Sequence, residues 1–182
     1  MRFENLMAEK YDFGQKQVYE LILYSSLAFL FPLVFGHLAG LPNQLIVGTV
    51  VNGLLFASAV YVSGWKNLFP VIVPSIGAYL TGFVFGVDTH FLLYLIPAIW
   101  LGNFAYVLGI KKFFVSDKRT FFTIFASSAI KAAVIFVPAF ALVSFNIVPS
   151  AFLIAMGPLQ FITAVSGALL GVVFVRLRNI SA

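Results

Sequence analysis

The side chains with chemistry to offer stand in the most apolar stretches of this chain. In FASSAIKAAVIFVPAF, residues 125–140, Lys131 is the lone charge among apolar and small residues. A lysine deep in hydrocarbon is costly and marks a functional position by default. Other hydrogen-bonding groups also interrupt apolar runs: Asn52, Trp100, Asn103, Tyr106, Ser127, Ser128 and Gln160. Ser127, Ser128 and Lys131 share one helical stripe. Trp100, Asn103 and Tyr106 are three apart, which stacks two amphipathic rings around an amide. Trp100 lies mid-run, away from the interfacial belt that tryptophan favours, and its N–H needs a partner there. An ammonium with amides and hydroxyls in an apolar surround can hold an anionic solute; the same groups can bond helix to helix. Glu20 falls at one edge of its run and Asp88 outside the next, so no carboxylate is expected at the depth of Lys131. Such a lysine is neutral, bonded to carbonyls, or waiting for an anionic ligand.

Composition says which elements must position these groups. The 182 residues are 62% hydrophobic and 9% charged, with a mean hydropathy of +1.04. Soluble domains are about a quarter charged, so the chain is built for lipid. In lipid the backbone must satisfy itself within helices. The apolar runs predict an all-α polytopic membrane protein, one domain of six helices at about 18–38, 44–63, 68–87, 90–111, 120–143 and 150–175. Pro70, Pro74, Gly77, Gly82 and Gly86 crowd the third run, which is expected to be short or distorted. The opening MRFENLMAEKYDFGQKQVYE is polar, with charges of both signs, so no cleavable signal peptide is expected.

Orientation follows from the basic residues. Arg2, Lys10, Lys16, Lys66, Lys111, Lys112, Lys118, Arg119, Arg176 and Arg178 all fall on one side of this topology, and Lys131 is the eleventh of the 11. Both termini are therefore expected in the cytoplasm. The net charge of +5 reflects this asymmetry, and no nucleic-acid partner is expected.

Counted from the opposite helix ends, the polar groups reach a common depth. Asn103 lies 12 positions past Phe91, roughly 18 Å; Lys131 lies 13 before Ser144, roughly 20 Å. Gln160 lies 10 past Ser150, roughly 15 Å, and Asn52 lies 8 past Gln44, roughly 12 Å. On the sixth helix Gly157, Gln160, Thr163, Ala164, Gly167 and Gly171 make a small, polar face.

Gly36–Gly40, Gly82–Gly86 and Gly167–Gly171 are GxxxG spacings, which let backbones approach closely and make these glycines candidates for docking a partner. His37, Asp88 and His90 fall in or near the outer loops; imidazole and carboxylate suit a metal, but on separate loops they read as solvated residues, and no metal is expected. With no cysteine, iron–sulfur and thiol chemistry are excluded. There is no GxxxxGK[ST], HExxH or GxSxG motif and no acidic cluster to hold magnesium, so neither an enzyme nor a cofactor is expected.

Three stretches, VPSIGAYLTGFVFG (73–86), IPAIWLGNFAYVLG (96–109) and GPLQFITAVSGALLG (157–171), resemble the substrate-binding S component of an energy-coupling factor (ECF) vitamin transporter. The resemblance covers the whole chain. It implies a multi-pass protein of a prokaryotic cytoplasmic membrane that captures a vitamin-like solute from outside. The solute would bind between helices four to six and the outer loops, where Asn103, Lys131 and Gln160 fall. A membrane coupling protein and two ATPase subunits would be partners, with small residues of helices one to three and six facing the coupling protein. The chain begins Met1-Arg2-Phe3 and lacks the Met-His head of the nickel and cobalt members, so those ions are not expected. Two other classes fit the composition: a self-sufficient secondary transporter or ion- or proton-coupled carrier with Lys131 as a relay, and a structural membrane subunit that binds nothing.

Overall fold

Long apolar runs leave the backbone to bond with itself, and among the described residues it does so as helix, with no strand. The computed structural model describes residues 3–35, 41–116 and 119–180, with side chains over 14–35, 43–115 and 119–178. The helices are α1 (Phe3–Phe35), α2 (Leu41–Tyr61), α3 (Leu68–Thr81), α4 (Leu92–Ile110), α5 (Thr120–Ser144), α6 (Ala151–Met156) and α7 (Pro158–Ile180). Short 3-10 turns, Gly64–Asn67 and Gly86–Phe91, lead into α3 and α4, and a π-helical turn, Lys111–Ser116, ends α4.

Five segments are long and apolar enough to cross a membrane: Gly14–Phe35, Asn43–Tyr61, Gly86–Val115, Thr120–Ser144 and Ala151–Arg178. The third expected run does not reach that length. α3 has 14 residues, or about 21 Å, against a hydrocarbon core of about 30 Å. It stops at Gly82, which takes the left-handed conformation (φ 70°) that glycine adopts without strain. The sixth expected run is one of the five, Ala151–Arg178, though it is divided into two helices. Gly157 breaks the helical path, and Pro158, which has no N–H to donate, starts α7. At the other end of the chain, α1 starts well before residue 18.

The long helices and α3 pack in a ring: α1 on α2, α2 on α7, α7 on α5, α5 on α4, α4 on α3 and α3 back on α1. Side-chain bonds tie the elements at both ends. At one end Ser63 Oγ donates to Gln17 Oε1 (2.7 Å), Lys111 Nζ to Val62 O (2.9 Å) and Arg178 Nη1 to Glu20 Oε2 (2.9 Å). This is the end that carries Lys66, Lys112 and Arg119. At the far end Asn43 Nδ2 donates to Phe83 O (3.2 Å) and Gln44 Nε2 to Val84 O (3.3 Å), pinning the turn after α3 to α2.

Two apolar cores fill the ring. The one toward the basic end includes Leu55, Phe56, Tyr106, Ile124 and Ala168; the one toward the far end includes Leu92, Leu95, Ile135, Phe152 and Met156. On α4, Asn103 falls between Leu95 and Tyr106, and on α5, Lys131 falls between Ile124 and Ile135. The polar layer is thus sandwiched between the cores. The outward surface is apolar too, with Leu80, Leu101, Val137, Ile154 and Leu177 each more than half exposed.

Candidate functional site

The polar layer is built on pairs of helices brought close by residues without side chains. A Cβ placed on Gly102 of α4 would lie 2.5 Å from Ile135 Cγ1 and 3.1 Å from Lys131 O, so glycine lets α5 come against α4 there. One placed on Gly167 of α7 would lie 2.6 Å from Thr49 O and 2.5 Å from Asn52 Cβ on α2. Those two contacts bring Lys131 and Asn52, from α5 and α2, to the inside of the ring.

Lys131 is 2% exposed, and its ammonium donates to Asn52 Oδ1. The same nitrogen lies 5.5 Å from the centre of the Tyr106 ring, within cation–π range. Asn52 passes the link on, its Nδ2 donating to Thr163 Oγ1 (3.3 Å), whose hydroxyl donates to Gln160 O (3.2 Å). A lysine, an amide and a hydroxyl from three helices therefore form one buried chain. Among the described residues, no carboxylate stands beside the ammonium.

This chain opens on a cavity of about 100 Å³ lined from all seven helices. Its polar lining is Gln44, Asn52, Ser75, Asn103, Lys131, Gln160 and Thr163; the remaining wall is apolar, including Val51, Ile99 and Phe85. The space has room for a few waters or one small solute. A second cavity of about 190 Å³ lies toward the far end and shares Gln44, Phe85, Ala155 and Leu159 with the first. Asp88 lies on its wall. The Phe85 ring, stacked on Phe152 at 5.5 Å, faces both spaces.

Of the residues expected at the site, Lys131, Asn52, Asn103 and Gln160 meet at the cavity. Trp100 supports it from behind, its Nε1 donating to Ser75 Oγ (2.7 Å) on the wall. Tyr106 is fully buried beneath the lysine, and its hydroxyl donates to Ala164 O (3.1 Å). Ser127 and Ser128 are both buried, and neither lines the cavity. Ser127 packs against Gly109 of α4, where a Cβ would collide with its hydroxyl.

Of the docking glycines, Gly82, Gly86, Gly167 and Gly171 are among the described residues. Gly167 faces α2, and a Cβ on Gly171 would lie 2.5 Å from the Phe56 ring, so both are internal packing positions. Gly82 and Gly86 have φ of 70° and 58° in the turn after α3, so their spacing belongs to a loop and not to a helix face. Gly36, Gly40 and His37 lie outside the described residues. His90 is exposed, with Nδ1 3.0 Å from Val87 O. Among the described residues no three His, Asp or Glu side chains gather as metal ligands.

Sequence reasoning did not place Ser75 or Gln44 at the site. Ser75 sits next to Pro74 in a run that reads as distorted, and Gln44 reads as a helix start. Thr163 stood on the small, polar face of its helix, which was its signal. Comparison with protein-family models, characterised proteins and solved structures finds no match for this chain. What fold and site define is an all-helical chain, five of whose segments are fit to cross a membrane, with a lysine-bearing cavity inside its ring of helices.

Proposed function

We propose that this chain is an integral protein of a cytoplasmic membrane that captures a small anionic solute from the outside, with Lys131 as the counter-charge. In this reading it is the binding subunit of an ATP-driven importer and works with a membrane coupling protein and two ATPase subunits. The single observation that carries the reading is the buried Lys131 ammonium on the cavity wall, bonded to a neutral amide oxygen and faced by no carboxylate among the described residues. A buried cation held only by neutral groups is poorly compensated, and an incoming carboxylate supplies what it lacks.

Three further features support it. The outward apolar surface suits lipid. The basic residues of the connecting turns gather at one end, which the positive-inside rule assigns to the cytoplasm, and the cavity lies toward the other. The ECF resemblance supplies the importer context. The cavity narrows the expected solute to a small one, below the roughly 300–1,000 Å³ of drug-sized pockets.

The test is to purify the full chain and identify small molecules that come with it by mass spectrometry. A carboxylate or other small anion present in the native protein and absent from Lys131→Met supports the reading. A neutral or cationic molecule retained by both contradicts it. Uptake of that solute by the purified chain alone in liposomes, without ATPase partners, contradicts the importer-subunit part.

A further inference from the structure

The wall of the cavity offers one more group, and it asks for a second feature in the ligand. We infer that the solute bound at Lys131 carries, beside its anionic group, an N–H or O–H donor that bonds Asn103 Oδ1. The class is small hydroxy-, amino- or amido-carboxylates, as against carboxylates with only hydrocarbon attached. This rests on the reading of the cavity as a solute site.

Asn103 is 2% exposed and lines the cavity. Its Nδ2 donates to Val71 O (3.1 Å), which fixes the amide, since a flipped amide would set its oxygen against that carbonyl. Oδ1 is then an acceptor, and among the described residues it has no partner. A buried acceptor without a donor is a costly feature, and in a binding wall it points to a ligand.

Among the described residues no neighbour on the wall bonds it, and the donors of Trp100, Ser75 and Asn52 have partners of their own. Trp100 Nε1 is engaged by Ser75, and the Ser75 hydroxyl donates to Ile72 O (2.9 Å). Asn52 Nδ2 is engaged by Thr163. The chemistry left on the wall is therefore the remaining ammonium protons of Lys131, the acceptor of Asn103 and the side-chain amide of Gln160, for which no bond stands among the described residues. Lys131 and Asn103 line the same cavity of about 100 Å³, so one small molecule can meet both. A ligand with a donor near its carboxylate complements the pair, whereas an unsubstituted carboxylate satisfies the lysine and leaves the amide oxygen buried and bare.

The test measures binding of matched acids to the full chain in lipid nanodiscs by calorimetry: lactate against propionate, glycolate against acetate, and 3-hydroxybutyrate against butyrate. The hydroxy member of at least one pair should bind roughly 5- to 100-fold tighter. Asn103→Leu should level that preference, and Lys131→Met should weaken both members. Equal binding within every pair, or a preference that survives in Asn103→Leu, overturns the inference and leaves the anion site standing. Binding of no acid, or acid binding untouched in Lys131→Met, overturns the site reading and this inference with it. If Asn103→Leu does not fold, the wild-type pairs alone decide.

Discussion

Lys131 on α5 donates its ammonium proton to Oδ1 of Asn52 on α2, and Asn52 in turn donates to Thr163 on α7. Three helices are thereby joined through one lysine whose oxygen partner is uncharged. The link also sets the electrostatics of the cavity, because a neutral oxygen leaves the positive charge for a ligand to meet. Asn52→Asp changes that, and it also replaces the N–H given to Thr163 by an acceptor toward which the threonine hydroxyl can turn. It places a carboxylate where the amide oxygen stands, so an internal ion pair competes with the solute. Affinity for an anion should fall at least as far as in Lys131→Met, roughly 10- to 150-fold, while the melting temperature holds or rises. Affinity and melting curves of the purified variant check this, and undiminished affinity contradicts it.

Gly167 tests whether the small residues of α7 are packing or docking positions. A Cβ there would lie 2.6 Å from Thr49 O and 2.8 Å from Gly53 N, both backbone atoms that cannot step aside. Gly167→Ala should therefore destabilise the chain by about 1–3 kcal/mol, the usual cost of overpacking. Thermal unfolding in detergent reads the change. A variant as stable as the parent would show that α7 has room there and would restore an outward role for the glycine.

How far this arrangement was legible depends on what each residue was read from. Asn52, Asn103, Lys131 and Gln160 were placed in one layer by counting helical rise from the far ends, and they do line one cavity. Rise per residue is nearly invariant, so depth survives errors of a residue or two at helix ends. Direction around the helix is less forgiving, at about 100° per residue. Ser127 shares a stripe with Lys131 yet turns toward Gly109, because α4 lies so close there that the hydroxyl occupies the space of a missing side chain. Close approach also hid from a spacing rule: Gly102 and Gly109 bring α4 against α5, but they are seven apart and form no GxxxG. Conversely, Gly82 and Gly86 have the spacing without the helix, since left-handed φ at Gly82 ends α3 before the pair can share a face. The break at Gly157–Pro158 was written in the residue types, but a window of hydropathy averages over it.

At the basic end, Glu20 of α1 is 2% exposed and is held by the Arg178 guanidinium of α7, which also stacks over the Tyr61 ring at 4.2 Å. Removing the arginine strands a buried carboxylate, whereas removing both charges does not. The pair is only part-buried, so Arg178→Met should lower stability by about 1–3 kcal/mol, and adding Glu20→Met should recover much of it. Urea or thermal unfolding of the single and double variants measures both. A double variant less stable than Arg178→Met would mean the charges stabilise the chain through other partners.

Topology is open to direct test because the chain has no cysteine. Val87 and Phe145 at the far end are 90% and 76% exposed, and Trp65 at the basic end is 70% exposed. Cysteines at Val87 and Phe145 should react with a membrane-impermeant maleimide in intact cells, and one at Trp65 only after permeabilisation. The reverse pattern would invert the assigned orientation and put the cavity on the cytoplasmic side.

Lys131 as the counter-charge is the centre of the proposed binding site. Methionine is close to it in length and volume and removes the buried charge; it leaves Asn52 Oδ1 without its donor, at about 1–3 kcal/mol, so Lys131→Met should fold with somewhat lower stability. The decisive measurement is the affinity of the folded variant, in nanodiscs, for the anionic solute that purifies with the native chain. The account predicts a loss of roughly 10- to 150-fold, the worth of one charge-assisted hydrogen bond. An affinity equal to that of the native protein would contradict it and leave Lys131 as a strut between α5 and α2.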